Sequence, residues 1–145
     1  MFAFATFTRI HRRWLQAAFA VYLVALALVV FLPSQQAGTV TGFVGVIAGW
    51  LSFLGVPRSD AAVAVEFVSN IVMFIPFGAL LRCLWPATWN WWRTLLLSAV
   101  TSTAIELTQL LIPGRVTALS DVIANSAGGL IGVAAVAWLV SRRSR

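Results

Sequence analysis

The sequence predicts an all-α integral membrane protein of four transmembrane helices, with an extra short glycine-rich helix at about 41–55 on the outer side. Three observations carry this. The 145 residues are 61% hydrophobic and 10% charged, whereas a soluble domain carries about a quarter charged residues. Mean hydropathy is +0.94. The apolar residues fall in long runs whose ends are marked by arginine and tryptophan.

The length fits a single domain spanning 1–145. Ten arginines, no lysine and four acids give a net charge of +6. On a soluble protein that balance suggests nucleic acid. Here the arginines sit at the ends of apolar runs rather than along one basic face. Their expected partners are anionic lipid headgroups, and their expected role is orientation, with no nucleic acid.

The first span is Trp14 to Leu32, an apolar run preceded by the basic flank Arg9, His11, Arg12 and Arg13. It is too long for a signal-peptide core, and 33–37 lack a small-x-small cleavage pattern, so it is expected to stay attached. His11 among arginines reads as interfacial charge. Residues 39–56 follow, with Gly42, Gly45, Gly49 and Ser52 at helical spacing on a small-residue face. This stretch is near the lower limit for a span.

Ala61 to Leu84 is the second span. Glu66 and Asn70 are four apart and share a face. Pro76 lacks an N–H and crowds the carbonyl of Val72, so a kink is expected there, and Gly78 gives room to a neighbour. Trp85, Trp89, Trp91 and Trp92, flanked by Arg82 and Arg93, read as an aromatic belt in a short turn. Thr94 to Ile112 is the third span and Leu119 to Val140 the fourth. With four spans, eight arginines share one side against Arg58 and Arg115 on the other. A fifth span at 40–56 would split them evenly. The asymmetry favours four spans with both termini cytoplasmic.

The polar residues are then concentrated near one end. In the third span Ser98, Ser102, Glu106 and Gln109 fall within an arc of roughly 80°, and in the fourth Asp121, Asn125, Gly128 and Gly132 within roughly 60°. With Glu66 and Asn70 these stripes must avoid lipid, so all should face into the bundle. That would bring three of the four acids together near the outer interface, roughly 7–9 Å inside the helix ends for Glu66 and Glu106. A carboxylate in a bilayer costs roughly 2.5–3.5 kcal/mol on insertion scales, and intramembrane ionisable groups mark sites or pathways. Arg115, in the turn Ile112-Pro113-Gly114-Arg115, is the nearest cation in sequence. The residues expected to bind a ligand are therefore Glu66, Asn70, Glu106, Gln109, Arg115, Asp121 and Asn125. The competing reading is a structural network, with Arg115 paired to Asp121 or Glu106 and Asp121 capping a helix.

Pro76, Gly78, Gly128, Gly129 and Gly132 are expected to be structural. Gly128 and Gly132 form a G-x-x-x-G that permits close helix approach, within the chain or between copies in a homo-oligomer. No histidine or lysine lies in the bundle beside Ser98, Ser102 or Thr103, so a serine nucleophile is unsupported. The lone cysteine, Cys83, allows no internal disulfide, and no metal-ligand spacing or phosphate loop is present, so no catalytic residue, metal or cofactor is assigned.

Glu66 and Asn70; Phe74-Ile75-Pro76-Phe77-Gly78; Glu106 with Gln109; Pro113-Gly114-Arg115; and Asp121, Asn125, Gly128-Gly129 and Gly132 together resemble the VanZ-like family of small bacterial membrane proteins. The resemblance covers about 62–135. Family members often carry Asp or Ser near position 118, where this chain has Ala118. The resemblance implies a multi-pass protein of the bacterial cytoplasmic membrane. It also implies a link to glycopeptide (teicoplanin) resistance, after the factor that names the family. It supplies no reaction. The leading expectation is a cell-envelope protein that binds or shields a membrane lipid or lipid-linked cell-wall component through an outward-facing acidic and amide pocket. The alternatives are an intramembrane lipid-modifying enzyme using a glutamate as general acid–base, and a small oligomeric transporter.

Overall fold

In the computed structural model, residues 2–31, 46, 49, 53, 55, 57–111 and 118–143 are described. They form four helices: α1 (Phe2–Phe31), α2 (Arg58–Leu84), α3 (Trp91–Gln109) and α4 (Leu119–Arg143). The expected glycine-rich helix at 41–55 lies outside the described residues, apart from isolated positions, and so does Arg115.

Three of the four helices are long and apolar enough to cross a membrane: within α1 from Arg12, within α2 from Ser59, and within α4 to Arg142. Helix α3 has 19 residues but is not among the three. Its stripe of Thr94, Ser98, Ser102, Glu106 and Gln109 lowers its hydropathy, and those same residues are its buried ones. Four spans are therefore not established by length and composition; three are.

Helix boundaries follow local chemistry. Helix α2 begins directly after Pro57, whose fixed φ suits a helix start, and carries Asp60 in its first turn, where an acid suits the helix dipole. It runs through Pro76 to Leu84 as one helix. Helix α3 begins at Trp91 rather than Thr94, because Asn90 caps it: the Asn90 side chain accepts the Arg93 N–H at 3.2 Å. Asn is among the strongest N-caps, a signal that the Trp-Trp-Arg run conceals. Helix α1 likewise begins well before Trp14 and carries the basic flank within it.

The 85–90 turn is held by the residues expected to form an aromatic belt. Trp85, Trp91 and Trp92 are exposed. Trp89 is half-buried, and its indole N–H donates to Thr94 Oγ1 at 2.7 Å. The Arg82 guanidinium donates to the carbonyls of Pro86 and, at 2.8 Å, Trp89. That of Arg93 donates to Thr88 O. Both arginines thus satisfy turn carbonyls as well as placing charge at this end.

Packing is closest between α2 and α4. These run parallel, and glycines set the distance. A Cβ at Gly128 would overlap the carbonyl oxygen of Ile71, one at Gly132 the carbonyl of Ile75, and one at Gly78 the backbone of Gly129. Small residues allow this approach, as expected for membrane helix pairs. The G-x-x-x-G face of α4 is filled by α2 of the same chain. Helix α1 packs less extensively, through a cluster of Leu26, Val30, Phe74, Phe77 and Leu81. The Tyr22 hydroxyl ties it to α2 by donating to Met73 O at 2.9 Å.

Candidate functional site

One end of the bundle gathers the C-terminal ends of α1 and α3 and the N-terminal ends of α2 and α4. The alternating helix directions place there what the helical wheel put on separate faces. A cleft of about 320 Å³ opens at this end, and Glu66, Asn70, Glu106, Gln109, Asp121 and Asn125 all line it. These are six of the seven residues expected to bind a ligand; the seventh is Arg115. The cleft walls are completed by Val29 and Val30 of α1, Ala62, Ser69, Met73 and Phe74 of α2, and Ile105 of α3.

The six are not equally placed. Glu106, Gln109 and Asn125 are buried, Asn70 and Asp121 are intermediate, and Glu66 and Ala62 are exposed and mark the mouth. Counting from the observed helix ends, Glu66 lies about 12 Å along α2 and Glu106 about 4.5 Å from the end of α3. The expected depth of roughly 7–9 Å for both glutamates is corrected, because α2 starts at Arg58 and α3 ends at Gln109.

Several polar groups already have partners in the chain. Gln109 Nε2 donates to Val30 O at 3.0 Å, linking α3 to α1. Asn125 Nδ2 donates to Ser102 Oγ at 2.7 Å, linking α4 to α3. Glu106 Oε2 accepts the backbone N–H of Ala118 at 3.1 Å. Ala118 immediately precedes α4, so Glu106 caps that helix from a neighbouring one. It does for the Ala118 N–H what an acid at the third helical position does in a capping box. The cap expected of Asp121 is thus supplied to the Ala118 N–H by Glu106, while the Asp121 N–H itself donates to Ala118 O at 2.9 Å. The Glu106, Asp121 and Glu66 carboxyls line the same cleft.

Among the described residues, Ser98 Oγ and Asn125 Oδ1 are buried with no hydrogen-bond partner. No three acid, histidine or cysteine residues among them are disposed to hold a metal ion. A second, shallower groove of about 250 Å³ flanks the site between α3 and α4, lined by Glu106 together with Leu107, Leu110, Leu119 and Val122. Glu106 therefore stands between a polar cleft and an apolar groove. Sequence reasoning missed Ser69 and Met73, although both fall on the wheel face of Glu66 and Asn70. It also missed the carbonyl of Val30 and the N–H of Ala118, which no side-chain pattern reports.

A family model described as VanZ/LLP1 matches residues 19–140. That range covers the C-terminal part of α1, all of α2 and α3, and α4 up to its last turn. No curated protein and no solved structure matches the chain.

Proposed function

The chain belongs to the VanZ-like family, and from that premise we propose that it is a four-span protein of the bacterial cytoplasmic membrane. Its cleft, on the outer face, binds a membrane lipid or lipid-linked cell-wall component. The observation that carries this reading is the convergence of six polar side chains from three helices on one cleft, in a chain otherwise built to face lipid.

Charge supports the orientation. Arg82, Arg93 and Arg142 lie at or near helix ends away from the cleft, as the positive-inside rule requires of a cytoplasmic face. Helix α3 can cross as the fourth span because its polar stripe is buried against its neighbours, not exposed to hydrocarbon. In this arrangement a headgroup enters at Glu66 and Ala62. Glu66, Glu106 and Asp121 supply charge, and Asn70, Gln109 and Asn125 fix orientation. Shielding a cell-wall precursor in this way is how such a protein would lower sensitivity to a glycopeptide.

Native mass spectrometry of the gently extracted protein tests the reading. Wild type should retain a defined lipid, and Glu106→Gln should lose it while folding normally. The amide keeps an oxygen for the Ala118 N–H and can donate to Asp121. Equal retention by both proteins would refute the site.

The burial of Glu106 in a cleft that Asp121 also lines favours a second reading, an intramembrane lipid-modifying enzyme with that glutamate as general acid–base. Turnover of a lipid with a bell-shaped pH–rate profile would establish it. Absence of turnover across lipid classes would remove it.

A further inference from the structure

The hydrogen-bond inventory of the cleft is lopsided. Its two buried amides each have a donor engaged: Gln109 Nε2 with Val30 O, and Asn125 Nδ2 with Ser102 Oγ, which leaves Asn70 as its amide with no hydrogen bond among the described residues. What faces the cleft is rich in acceptors. Three carboxyls line it, at Glu66, Glu106 and Asp121. The amide oxygen of Asn125 is left without a partner in a residue only 5% exposed.

A buried acceptor without a donor is costly to keep, because it has given up water and gained nothing in exchange. Native structures keep few such groups without a reason. A ligand that supplies N–H donors and positive charge relieves the unpaired oxygen and the repulsion among the carboxyls together. A phosphate or carboxylate would worsen both. The N-termini of α2 and α4 do point toward this end, but each carries an acid, Asp60 and Asp121, in its first turn. Those acids already answer the dipoles.

We propose that the cleft recognises a protonated primary amine, carried on the headgroup of a membrane lipid. Asn125 Oδ1, Glu66 and Asp121 accept its N–H bonds. A quaternary ammonium has the charge but no N–H, so it satisfies the carboxyls and leaves Asn125 unpaired. The lipid body is accommodated by the apolar groove beside Glu106 and by the mouth at Ala62, which opens along the side of α2. This inference rests on the binding reading above and narrows its ligand.

The test is retention of lipid by the full chain in nanodiscs of equimolar phosphatidylethanolamine, phosphatidylcholine and phosphatidylglycerol. Hydrogen bonds to charged groups contribute about 1.5–3 kcal/mol, so the ethanolamine lipid should be enriched over the choline lipid by roughly ten- to a hundredfold. Asn125→Leu should abolish that preference. Because Asn125 is buried, Glu66→Gln is the folding-safe companion: it is exposed at the mouth and should lower retention of the ethanolamine and choline lipids alike severalfold, leaving the preference between them.

A second arm adds free ethanolamine. Displacement of the lipid shows that the ammonium alone is read. Persistence of the lipid, with its preference over choline intact, shows that the lipid carries the amine to the site. Equal retention of ethanolamine and choline lipids overturns the proposal but leaves a binding cleft, as does enrichment of the glycerol lipid. Retention of no lipid, in wild type and variants alike, overturns both the proposal and the reading it rests on.

Discussion

Replacing Gly128 by alanine tests the closeness of α2 and α4. The added Cβ would overlap the carbonyl oxygen of Ile71 and stand 3.0 Å from both Ile71 C and Phe74 Cβ. Carbon atoms in ordinary contact sit at about 3.5–4.0 Å, so relief requires the helices to part by about 0.5–1 Å. None of these three atoms can rotate away. Two are backbone atoms, and Phe74 is fully buried in the core.

Overpacking of this kind costs about 1–3 kcal/mol, against a helix-propensity gain of up to about 1 kcal/mol for Gly→Ala. The expected net loss is about 1–2 kcal/mol. One outward shift of α2 would relieve the clashes at both Gly128 and Gly132. Gly128→Ala with Gly132→Ala should therefore cost less than the sum of the singles, a coupling typical of neighbouring sites. Unfolding in mixed micelles, followed by far-UV circular dichroism, measures all three variants. Gly49→Ala is the control, since a Cβ there meets nothing within 4 Å. A Gly128→Ala protein as stable as wild type, or more so, would refute backbone contact between these helices. Strict additivity would refute the shared shift.

Two further outcomes are expected. Tyr22→Phe removes the bond to Met73 O and should cost about 0.5–1.5 kcal/mol in the same unfolding assay; no change would mean that α1 is held by apolar contact alone. Cys83 is exposed near the end of α2 away from the cleft, so the proposed topology makes it reachable by a membrane-impermeant thiol reagent in inverted vesicles and not in intact cells. The reverse pattern would turn the cleft toward the cytoplasm.

The clustering of the site was legible because it depends on helical period alone. Glu66 and Asn70, the Ser98-to-Gln109 stripe and the Asp121-to-Gly132 stripe each announce a face, and an all-helical chain in lipid has to turn such faces inward. What those residues bond to was not legible. The partner of Gln109 is a carbonyl 79 residues away, and that of Tyr22 is one 51 residues away. Main-chain groups leave no trace in side-chain periodicity. The start of α3 was misjudged for a different reason. Trp91, Trp92 and Arg93 have the composition of an interfacial turn, and Asn90 decided the boundary through one hydrogen bond. The glycines were read as a contact face, but which partner fills it is a tertiary choice, and α2 filled it.

The polarity of α3 bears on how the protein reaches the membrane. A segment whose buried face is Thr94, Ser98, Ser102, Glu106 and Gln109 has little reason to leave the translocation channel for hydrocarbon on its own. Its neighbours make that exit favourable: Asn125 pairs with Ser102, Gly129 closes over Ser98, and Glu106 finds the Ala118 N–H. All three are supplied by α4 or by the residue just before it, and are therefore synthesised later. In the proposed topology α3 would wait at the channel until α4 emerges, and the two would enter lipid as a hairpin. The cleft would then be assembled only once α4 has emerged.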